Sequence, residues 1–266
     1  MRDHCSVTSA LLTPWWRNRT TQAPRDDPAG STAPTQILDW EDASVRAFVQ
    51  AVRGAAIDAD GAALLRAAHQ RISNQIHPVY SVNDARPVSQ VFARGHGSCS
   101  QRLALLEAVA RSAGIPTRVR GLVVDGSFWY PRFPRLRALV PDSVLLAWPQ
   151  FLLEGRWVDS SELFGTLAEL ADGNSLGFTN TGGETLFEAL PRTALDWEGR
   201  TNELGTCPAC DLSARVVSDL GLYESRDLLF REHGQTLSLV ARTLVEPVLG
   251  RWGPSSVLHA IAQPTP

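Results

Sequence analysis

The chain reads as an α+β protein in which a central helix packs on an antiparallel sheet, with further helices on the flanks. Three observations carry that reading. Apolar residues recur at helical spacing in two early segments, a capped helix that is apolar nearly all round follows, and then come alternating runs joined by a two-residue turn.

Val45, Phe48, Val49 and Val52 form the first helical stripe, and Leu65, Ala68, Ile72 and Ile76 the second, which ends before Pro78. In Gly97-Ser98-Cys99-Ser100-Gln101, Ser98-x-x-Gln101 has the form of a capping box, which makes Cys99 the first residue of the third helix. Gln101 to Ala113 continues that helix with apolar residues on both faces, so it is expected at the centre of the fold, stopping at Gly114. Thr117 to Val124 alternates Val119, Gly121 and Val123 against Arg118 and Arg120, as a strand with one face on the helix does. Val144 to Leu153 and Arg156 to Ser160 read as a strand pair across Glu154-Gly155, with Pro149 marking a bulge or an edge. Leu212 to Leu249 is expected to be helical, weakened at Gly234 and stopped at Pro247. Residues 1 to about 35 are rich in Pro, Thr, Ser, Asp and Arg and read as a mobile leader, with the fold starting near Ile37. The expected division is leader 1–35, main domain 36–200 and a mainly helical extension 201–266.

Composition narrows the function classes. A net charge of -3 and a charged fraction of 20% give no basis for nucleic-acid binding by bulk electrostatics. No apolar run nears the roughly 20 residues that span a bilayer. The start of the chain lacks a long apolar stretch of the secretory kind, and four cysteines do not suggest a disulfide framework, so a cytoplasmic protein is expected. All 25 basic residues are Arg, which rules out a lysine Schiff base, a lysine general base and a P-loop. No cofactor is expected.

Cys99 is the leading candidate for chemistry. At a helix start, free N–H groups and the positive end of the macrodipole favour a thiolate, and the ordinary cysteine pKa near 8.5 can fall by several units there. Cys207-Pro208-Ala209-Cys210 is the other sulfur feature. Zinc would need two more ligands and only His233 follows, at an unconventional distance, while a redox pair lacks its usual βαβ setting. An incidental or structural pair is the reading, with zinc and redox as weaker alternatives, and no metal site is expected.

Gly-Ser-Cys opening a helix, Arg111 to Arg118 at its end, then a strand, Ala147-Trp148 and Gly155-Arg156-Trp157-Val158 together resemble the transglutaminase-like superfamily over roughly residues 85 to 165. The resemblance implies a papain-like fold with a Cys, His, Asp triad that makes or breaks amides. It fails at one position, since the family's His-Ala-Trp is here Leu146-Ala147-Trp148, and the family's acid falls on Ser161. Asp159, two residues earlier, shares a sheet face with position 146 and lies about 7 Å along the strand. Leu146 cannot protonate a leaving amine, so His96 and His77 are the candidate substitute proton handlers beside Asp159, a structural or solvated histidine being the other reading of each. Gln101, Leu146, Trp148 and Trp129 are the expected substrate-lining residues. Two functions follow: cysteine-dependent acyl transfer, which a carrier thioester or small acyl donor suits because a thiolate leaves unprotonated, or a degenerate relative that binds a peptide or protein partner.

Overall fold

The structure, a computed structural model, describes residues 27–56, 59–172, 178, 180, 183–197 and 212–254. Two helices lead: α1 (Ala43–Ala55) buries Val45, Phe48, Val49 and Val52, and α2 (Gly61–Gln75) buries Leu65, Ala68, His69 and Ile72. Both are closed by aspartates, Asp42 accepting from the Ser44 amide and Asp60 from that of Ala63. A short parallel pair, β1 (His77–Pro78) and β2 (His96–Gly97), brackets α3 (Val88–Arg94). The central helix α4 (Cys99–Ser112) follows, and Gly114 beyond it takes φ 81°, the left-handed stop.

The sheet is antiparallel with strand order β5-β4-β3-β6, formed by β3 (Thr117–Asp125), β4 (Ser143–Leu153), β5 (Arg156–Asp159) and β6 (Val216–Tyr223). Leu153 pairs with Arg156, so Glu154 and Gly155 alone make the turn, with φ 50° and 77° as a two-residue turn between right-twisted strands needs. Pro149 keeps its register with Val119 and falls just past the β4–β5 ladder, so the edge reading holds there and no bulge forms. Two short helices, α5 (Leu167–Asp172) and α6 (Leu186–Ala189), lie between β5 and β6, and α7 (Arg226–His233) and α8 (Leu239–Leu249) follow.

Register divides the sheet into two faces. Thr117, Val119, Gly121 and Val123 lie opposite Phe151, Pro149, Ala147 and Leu145. This face meets the helices: Arg111 of α4 donates to Thr117 Oγ1 at 2.7 Å, and a Cβ on Gly121 would come within 2.6 Å of Leu229 in α7. The other face carries Arg118, Arg120 and Leu122 opposite Gln150, Trp148 and Leu146, with Gln150 opposite Asp159.

All of α4 from Gln101 to Arg111 is buried, as a helix at the centre must be. Each of Leu105, Leu106 and Val109 gains about 1.5–3 kcal/mol from leaving water. The buried charges on this helix each find a partner: Arg102 pairs with Glu188, Glu107 with Arg226, and Arg111 donates to Thr117, Ala33 and Glu224 oxygens.

Two expectations are corrected. Residues 216–223 form β6, not helix, and pair with β3 through two register shifts. Paired chain also begins before Ile37, since Ser31 bridges Thr117 and Thr35 donates to Asp227 at 2.6 Å. The earlier leader residues lie outside the described chain.

Candidate active site at the start of the central helix

The start of α4 has the expected local form. Ser98 Oγ accepts from the Gln101 amide at 3.3 Å, and Gln101 Oε1 accepts from the Ser98 amide at 3.0 Å. Gln101 does more, donating through Nε2 to Ser81 Oγ at 2.8 Å and to the Asn83 carbonyl at 2.7 Å. It ties the helix start to the 81–83 loop.

Cys99 keeps some surface exposure, yet its thiol is pushed up to about 12 rather than down. Burial is the largest cause; the nearby Arg102 charge and a backbone hydrogen bond with Phe187 oppose it, while Glu188 and Asp84 add to it. Burial therefore works against activation by the helix start. The field of a helix end is worth about 0.3–1 kcal/mol, too little against the desolvation of a thiolate in this packing.

The neighbours of the thiol come from segments the sequence did not single out. Phe187 sits between helices: its ring stacks on His69 at 4.4 Å and lies under the Arg102 guanidinium at 4.4 Å. His69 Nε2 donates to the Phe187 carbonyl at 2.6 Å, and burial holds this histidine below its usual range. On the loop side, Asp84 is buried, its amide donating to Gln235 Oε1 at 2.7 Å. Its carboxyl is pushed up to about 6, by burial first, against a hydrogen bond with Ser100 and the charges of Arg226 and Arg242. His69 was detectable, since position 69 belongs to the buried stripe of α2. Asp84 carried no signal, being one acidic residue in a loop.

The expected proton handlers lie on β1, β2 and β5. His77 and His96 are brought together as register partners in β1 and β2, and His96 Nε2 accepts from Arg94. Asp159 accepts from Gln150 Nε2 at 3.1 Å while Gln150 Oε1 accepts from Arg118 Nε at 2.7 Å, a relay on the face turned from Thr117 and Gly121. Leu146, opposite Leu122, is on that same face. Trp148 is buried edge-on to Trp197 at 5.1 Å, and Trp129 ends a 3₁₀ turn with its ring against Phe128. Cys207 and Cys210 lie outside the described residues.

Residues 41–160, which carry α1 to α4 and the β3–β4–β5 strands, match the family model described as the transglutaminase-like superfamily. This stretch is transglutaminase-like. The transglutaminase-like core is a fold on which cysteine-based catalysis is built, and Cys99 opens the central helix within the matched stretch. A solved chain described as "Putative Cysteine Protease from Cytophaga hutchinsonii" is similar at 16% identity and a TM-score of 0.34, over 48% of this chain and 39% of that one. Comparison with curated proteins gave no match. No described helix is long and apolar enough to cross a membrane.

Proposed function

We propose that this is a catalytically degenerate transglutaminase-like protein that binds a peptide or protein partner. The observation that supports this reading is the state of Cys99, a thiol at about 12 with Leu146 at the position of the family's base. Of the two carboxyls that act on it, Glu188 and Asp84, the second sits at about 6. The thiol and Asp84 are both raised by burial first, so the ionised form is disfavoured at each.

One observation favours a second reading, acyl transfer from a thioester donor. The surroundings of Cys99 are not wholly apolar, because Asp84 reaches the helix start through Ser100, and a thiolate leaving group needs no proton.

Alkylation of the native chain by iodoacetamide across pH, with the Cys99 peptide followed by mass spectrometry, separates the two. The degenerate reading expects a rate still climbing well above pH ~8.5, without a plateau. An apparent pKa below about 8.5 at Cys99 overturns it and favours acyl transfer.

A further inference from the structure

The side of the fold next to the α4 start concentrates positive charge. Arg86 donates to Glu246 at 2.6 Å, and that carboxylate is already saturated by Ser81 Oγ and the Val82 amide. Arg94 and Arg251 are exposed, and among the described residues no carboxylate lies within ion-pair distance of either. His77 N donates to the Gly95 carbonyl and Tyr80 N to the Trp252 carbonyl, both at 2.9 Å, which sets the segments of Arg94 and Arg251 side by side along residues 77–80. Arg86 and Arg251 both act on Arg94, which is held below the usual arginine range by burial first and then by these two charges, with Glu246 opposing. One carboxylate thus faces three guanidiniums, in a protein whose net charge is -3.

This patch is joined to the candidate site. Ser81 Oγ, which donates to Glu246, accepts from Gln101 Nε2 of the capping box, and His96, bonded to Arg94, lies three residues before Cys99. The free amides of the α4 start add to the same positive potential.

We propose that Arg94, Arg251 and Arg86 form the docking point of a carboxylate-rich peptide segment beside the start of α4. The proposal rests on the binding reading above and names the chemistry of the partner. An arginine fork matches carboxylate geometry bidentately, and among the described residues Arg94 and Arg251 have no acid within ion-pair distance to give up before they engage one. Nucleic acid fits less well. Three clustered cations neutralise few phosphates, against the roughly 6–10 contacts of a strong duplex binder, and the net negative charge repels the rest of the backbone.

Fluorescence polarisation of labelled hexaglutamate on the full chain at low salt tests the proposal. The R94A/R251A double variant is expected to weaken binding by about tenfold or more, as loss of two charge-assisted contacts does. R46A/R156A, which removes the same charge from two other exposed sites, is expected to change it by less than about twofold. Absence of wild-type binding, equal loss in both double variants, equal binding of hexaglutamine, or displacement by equimolar inorganic phosphate each overturns the docking point. Those outcomes leave the Cys99 titration untouched, whereas a low Cys99 pKa with intact hexaglutamate binding overturns the degenerate reading alone.

Discussion

Glu107 and Arg226, 119 residues apart in sequence, form an ion pair in which neither side chain is exposed, fastening α7 to the middle of α4. Arg226 also donates to the Ser100 carbonyl at 3.1 Å, so one guanidinium holds two turns of the central helix. R226M strands a buried carboxylate and is expected to cost about 3–5 kcal/mol in urea unfolding. E107L/R226M removes both charges and is expected to recover most of that loss. A single variant as stable as the double would contradict the pairing.

Acid stability carries the signature of Asp84. A carboxyl at about 6 in the native state, against about 3.9 unfolded, binds its proton more tightly when folded, so stability falls as the pH rises from about 4 through about 6. D84N removes that slope. It is expected to match the wild type at pH ~4 and to exceed it at pH ~7 by up to about 3 kcal/mol, read from denaturant midpoints. His69, depressed by burial, slopes the other way, stability falling as the pH drops below the ordinary histidine range, so the difference between D84N and wild type isolates the carboxyl.

At the capping box, the two partners are unequal. S98A removes one long hydrogen bond and is expected to cost about 1 kcal/mol. Q101A also strips the Ser98 amide, Ser81 Oγ and the Asn83 carbonyl of a partner, and is expected to cost about 2–3 kcal/mol. Equal thermal shifts for the two variants would show that the loop contacts contribute nothing.

Gly126 permits a backbone approach no other residue allows. A Cβ there would lie 1.7 Å from the Pro141 carbonyl oxygen, and Gly126 donates to the Asp142 carbonyl at 2.9 Å. Because backbone, not a flexible side chain, occupies that space, G126A is expected to cost more than about 3 kcal/mol, with thermal unfolding as the measure.

Legibility followed range. The stripes of α1 and α2, the Ser98 cap and the turn at Glu154-Gly155 are local patterns, and each is where the residues placed it. β6 was hidden because Leu220 and Val217 fall out of register with β3 at its two shifts, which breaks the period-2 pattern. The environment of Cys99 was out of reach for a different reason. Its cap is written in Ser98 and Gln101, whereas its surroundings include Phe187 and Glu188, nearly ninety positions away.

Strand order has a consequence for synthesis. β3 is flanked by β4, which follows it closely, and by β6, which begins only at Val216. A nascent chain that has delivered everything through Asp172 holds β3 with one row of backbone groups unpaired, and Glu107 lacks its cation until Arg226 emerges. Closing so long a loop delays the reward for its entropy, so the chain reaches its native sheet late, and a truncation before Val216 leaves an open strand edge that invites association.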